Sequence, residues 1–75
     1  MRSEEDFKAR LAEGHALAPS LVGLDRDTAI ERVRDLGFDP QPIPATAEAI
    51  TADLNANRIR LFLDEDEVVI RAWGG

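Results

Sequence analysis

The sequence predicts an α+β domain in which one main helix packs on a small sheet, and three observations carry that expectation. Ala29, Ile30, Val33 and Leu36 recur at helical spacing, with Glu31, Arg32, Arg34 and Asp35 mostly on the water side. Arg58-Ile59-Arg60-Leu61-Phe62-Leu63 alternates at period two, and Val68-Val69-Ile70-Arg71-Ala72-Trp73 follows after an acidic turn, which together read as a hairpin. Pro40, Pro42 and Pro44 remove backbone donors on one side only, so the segment containing them is an edge strand or extended chain.

Taken in chain order, Ser3 with Glu4, Glu5 and Asp6 resembles a capping box, and Phe7 and Leu11 share a helical face. A short first helix is expected through about Glu13, stopped by a left-handed Gly14 and blocked by Pro19. His15 then reads as a solvated linker residue. Leu21-Val22-Gly23-Leu24 leads into the main helix, capped by Asp25 or Asp27 and closed by Gly37 with Phe38 folding back on the last turn. Ile59, Leu61 and Leu63 are the candidate core face of their strand, with Arg58, Arg60 and Phe62 on the other face. Trp73 reads as a core plug or a hairpin-face residue.

Composition narrows the function. The chain has 75 residues, enough for one small domain. It has no cysteine, which removes disulfides, thiolate metal sites and thiol catalysis together. With one histidine, His15, and two serines, Ser3 and Ser20, a hydrolytic triad would have to be assembled almost entirely in the first twenty residues. A binding protein with no cofactor is expected rather than an enzyme. Fifteen acidic residues against nine basic give a net charge of −6, which disfavours nucleic-acid and membrane partners. Met1 precedes an acidic segment rather than a basic and then an apolar one. The expected location is therefore cytoplasmic, or secreted if a leader was removed.

The informative stretch is Ala45 to Asn57. Thr46 as a cap, abundant alanine and the Ile50/Leu54 spacing favour a helix, the crossover of an ordinary strand-helix-strand unit. The rival reading is a long irregular loop, which in a compact domain is usually functional.

Flanking residues bear on that choice. Leu21-Val22-Gly23, the single helix containing Ala29, Thr51-Ala52-Asp53-Leu54, and Asn57-Arg58-Ile59-Arg60-Leu61-Phe62 occur in this order, with a terminal glycine. In these respects residues 19–75 resemble the eglin-like potato inhibitor I family of serine-protease inhibitors, with residues 1–18 as an N-terminal helical extension outside the resemblance. The resemblance implies a mixed sheet with a long exposed binding loop between two parallel strands. It implies a scissile bond at Ala52-Asp53, presented within residues 48–55. Ala49, Ile50, Thr51, Ala52, Asp53 and Leu54 would then contact the protease, while Arg58 and Arg60 hold Thr51 and Asp53 from beneath.

The physics of such a support stands without the family. An inhibitory loop must be pre-shaped and must stay in place after cleavage. Two guanidinium groups on one strand face can do this without a disulfide. Inhibitory members usually carry a bulkier residue at the position of Ala52. Its methyl group points to elastase-like enzymes with small pockets, or to chymotrypsin- and subtilisin-like ones, and offers nothing basic to a trypsin-like site. Three rival readings accompany this one. The fold could serve as a non-inhibitory interaction module. Pro19 to Phe38 resembles the start of a PASTA-like cell-wall-binding module. Gly74-Gly75 resembles the tail of ubiquitin-like and sulfur-carrier proteins.

Overall fold

The computed structural model describes residues 3–50 and 53–75, and for Ser3 the backbone alone, so the expected hydroxyl cap at Ser3 lies outside the described atoms. The elements are α1 (Ser3–Leu17), a 3₁₀ turn (Ala18–Leu21), α2 (Arg26–Asp35), β1 (Asp39–Ile43), β2 (Arg58–Leu63) and β3 (Val69–Gly74). The strands form one mixed sheet in the order β1-β2-β3, with β1 parallel and β3 antiparallel to β2. This is the α+β architecture the sequence predicts.

Local chemistry explains the boundaries of α2. Asp25 sits in an extended conformation and its carboxylate accepts from the Thr28 amide at 3.1 Å and the Thr28 hydroxyl at 2.6 Å. These bonds satisfy one orphan donor of the first turn and hold the Asp25 pKa below its ordinary value, the side-chain bond from Thr28 contributing most. At the other end Gly37 adopts φ +85. Its amide bonds to Arg34 O and the Phe38 amide to Val33 O, the paired bonds of a Schellman ending. Ala29 and Val33 are fully buried, whereas Leu36 stands at the cap and is exposed.

The edge position of β1 follows from its prolines. The Asp39 amide donates to Asn57 O at 2.7 Å, so the odd-numbered amides face β2 and Pro40 and Pro42 put their missing donors outward. Central β2 is the most buried strand: Ile59, Leu61 and Leu63 join Leu21, Ala29, Val33, Phe38 and Val69 in the core beneath α2. Removing the larger of these side chains, the Leu, Ile, Val and Phe, from water contributes about 1.5–3 kcal/mol each. At the hairpin tip the Asp64 carboxylate accepts from the amides of Asp66 and Val68, and Glu67 takes up the positive φ of 62 that closes the turn.

The first helix departs from expectation. It does not stop at Glu13 but runs through Gly14 to Leu17. Gly14 is used for proximity rather than for a left-handed turn. A Cβ placed on Gly74 of β3 would lie 2.6 Å from Gly14 C and His15 N, so α1 and β3 meet backbone to backbone through two glycines. His15 accordingly lies in the last turn of α1, its ring edge-on to Trp73 with centroids 6.3 Å apart, and is not in a linker.

Candidate functional site

Residues 44–57 join two parallel strands without any helix among the described residues. The helical expectation from propensity is overturned. A parallel connection requires a long crossover, and here tertiary contacts from the sheet set its path. A turn closed by the Ala47 amide to Pro44 O starts the loop. The loop ends where the Arg58 amide bonds to Asn55 O and the Asn57 amide to the Asn55 side chain.

Period two on β2 sends Arg58 and Arg60 to the face opposite the core, under the loop. Both reach the same residue. Arg58 donates to the Asp53 carboxylate at 3.2 Å and to the Asp53 carbonyl at 3.1 Å, and Arg60 donates to those two groups at 3.4 and 3.3 Å. The guanidiniums are themselves held from behind. Arg60 Nε donates to Gln41 Oε1 at 3.2 Å, and Arg58 Nε donates to the main-chain oxygen of Gly75 at 2.8 Å. Side-chain exposures of 12% for Arg58 and 9% for Arg60, against 57% for Asp53, make the arginines the fixed partners and Asp53 the presented one. With Asp53 this open to solvent, the ion pairs by themselves are worth well under the Coulomb energy of a buried pair. Their importance is geometric, because side-chain and main-chain oxygens of a single residue are fixed together.

The other expected site residues fall around this clamp. Ala49 is exposed, and Ile50, also exposed, overhangs hollows floored by Phe62. Thr51 and Ala52 lie outside the described residues, as does any contact between Thr51 and the arginines. Leu54 approaches the end of the chain: a Cβ on Gly75 would stand 3.2 Å from Leu54 Cδ1. Trp73, paired with Arg60 across the hairpin, is half exposed on the loop-side face and is no core plug. The Arg71 guanidinium lies 4.8 Å from the Phe62 ring centre and 5.6 Å from that of Trp73.

Sequence reasoning missed Gln41 and Gly75 as supports. Gln41 could have been found by placing Pro40 and Pro42 outward and pairing β1 parallel to β2, which sets Gln41 opposite Arg60. The diglycine is no free tail: Gly74 is in β3 against α1, and the Gly75 amide bonds to Arg58 O at 3.0 Å. Both glycines are buried. No group of three metal-ligating side chains occurs among the described residues. No described helix is long and apolar enough to cross a membrane.

The arrangement is thus an α+β scaffold presenting a long irregular loop whose exit is clamped by two arginines. No family model matches the sequence, and no curated protein matches it. Among solved structures, the fold is similar to that of elastase inhibitor AFUEI, with a TM-score of 0.61 and 16% sequence identity, over 89% of this chain and 97% of that one. At this identity the likeness establishes the fold. The share of this chain that is matched is larger than residues 19–75 can supply, so the common fold extends into α1.

Proposed function

We propose that the protein is a serine-protease inhibitor of the potato inhibitor I type, acting by binding rather than by catalysis. Residues 48–55 serve as its substrate-like loop and Ala52-Asp53 as the scissile bond. The observation that carries this reading is the convergence of Arg58 and Arg60 on both the carboxylate and the carbonyl of Asp53. The similarity of fold to an elastase inhibitor supports it. The docked diglycine gives no support to the carrier reading, because activation of a terminal carboxylate needs a tail that can enter another active site.

A protease binds extended chain, so an unconstrained loop is a substrate. An inhibitor places the loop in that conformation beforehand, which lowers the ordering cost of binding. After attack at the Ala52 carbonyl, the leaving amine belongs to Asp53, and the clamp keeps that amine next to the acyl-enzyme so that resynthesis competes with hydrolysis. Ala52, facing the primary pocket, contributes only a methyl group, which matches elastase-like enzymes with small pockets or broad subtilisin-like ones.

Titrating the protein against elastase-, chymotrypsin- and subtilisin-class enzymes tests the proposal. Slow, tight inhibition of at least one is expected. No effect on any of them at high protein concentration removes inhibition as the function.

A further inference from the structure

We propose that α1 is a second brace for the arm of the loop that follows the scissile bond, so that residues 1–18 serve the site rather than merely precede the domain. This rests on the inhibitor reading for its functional consequence but not for its geometry. Two contacts carry it. Arg10 Nε donates to Asn57 Oδ1 at 3.1 Å, at the foot of the loop exit. Leu11 Cδ1 and Leu54 Cδ1 converge on Gly75, at 3.6 and 3.2 Å from where its Cβ would stand.

Arg10 is a rigid post rather than a loose surface cation. Its guanidinium also donates to the Gly37 carbonyl, pairs with Glu13 at 3.0 Å, and lies 3.7 Å from the centre of the Phe38 ring. One side chain therefore ties α1, the end of α2 and the loop exit. Ala56 is buried where α1 meets that exit, at a notch shared with Phe7 and Arg10. The Gly14–Gly74 contact lets the helix come this close.

The chemistry explains why this arm needs two braces. Hydrolysis of Ala52-Asp53 adds one water and leaves a carboxylate on Ala52 and an amine on Asp53. Resynthesis expels that water, and requires the amine to return to the acyl carbon. Arg58 and Arg60 hold Asp53 itself. α1 holds Asn57 through Arg10 and flanks Gly75, on which Leu54 also converges, so it borders the chain that carries the amine. Arg10 and Leu11 are thus positioning residues for the leaving group.

The test is amide hydrogen exchange on the full chain, comparing wild type with R10A, N57A, L11A and the R10A/N57A pair. The amides of Asn57 and Arg58 are suitable reporters, since their bonds to Asn55 lie within the loop exit. We expect about tenfold faster exchange there in R10A, little change at Leu61 and Ala72 in the sheet, and little added effect of N57A on R10A. L11A should act at the same amides. Unchanged exchange at Asn57 and Arg58, or an equal rise at loop and sheet amides in all the variants, overturns the brace. Against a protease that wild type inhibits, R10A should also be cleaved about tenfold faster. Local loosening in R10A, with a wild type that inhibits nothing, would retain the brace and remove the inhibitor reading, so the two failures are distinguishable.

Discussion

Gly74→Ala is the substitution whose cost the structure specifies best. Gly74 does not have a positive φ, so alanine is allowed by its backbone and the effect is steric. The new Cβ would stand 2.6 Å from Gly14 C and His15 N, both main-chain atoms of α1. Ordinary contacts lie near 3.5–4.0 Å, so the helix must retreat by about 1 Å. Overpacking of this kind costs about 1–3 kcal/mol, offset in part by about 0.4–1 kcal/mol from the reduced freedom of the unfolded chain. From the middle of both ranges about 1.3 kcal/mol remains, which for a domain of this size corresponds to a fall in Tm of about 5–10 °C. Gly14→Ala is the control. Its Cβ would meet the Phe38 ring edge at 3.3 Å, which a small ring movement relieves, and alanine within a helix gains about 1 kcal/mol over glycine. Thermal unfolding followed by circular dichroism should therefore show G74A well below wild type and G14A close to it. A G74A protein as stable as wild type, or an equal loss in G14A, would refute the backbone-to-backbone contact of α1 with β3.

Three further outcomes are expected. R58A and R60A should each keep the fold by circular dichroism while converting inhibitor towards substrate, seen as faster cleavage by the target enzyme; unchanged inhibition in both would refute the clamp. A52L adds about 2 kcal/mol of apolar burial in a deep pocket, so inhibition of chymotrypsin- or subtilisin-class enzymes should tighten about 30-fold, and no change in Ki would place another residue in the pocket. Because folding holds the Asp25 pKa below its ordinary 3.8, its cap is fully stabilising above that pH and is lost as pH falls through the lower folded value. D25N should accordingly flatten the acid limb of a Tm-against-pH curve, and an unaltered limb would show that Asp25 contributes nothing to it.

The parts of this structure legible in the sequence are those set by near neighbours. Asp25, Gly37 and the apolar repeat between them act within one helix, and the outward prolines of β1 need only the period of a strand. Arg58 and Arg60 could be assigned to one face for the same reason, and Asp53 offered the matching charge. Elsewhere the deciding partner was distant. Gly14 looks like a helix stop until Gly74 is seen against it. The alanine-rich connection scores as helix locally, yet its exit is fixed by guanidiniums from β2 at Asp53 and by Arg10 of α1 at Asn57. Gln41 becomes a support only once the parallel register puts it opposite Arg60.

On the inhibitor reading, a loop in a protein without disulfides is held well enough to survive its own cleavage. The decisive measurement is prolonged incubation with an inhibited subtilisin-class enzyme, read by intact mass. A single slow nick at Ala52-Asp53 is expected, settling at the same ratio of intact to nicked protein whether begun from either form. Rapid, complete digestion, or first cleavage at another bond, would contradict it.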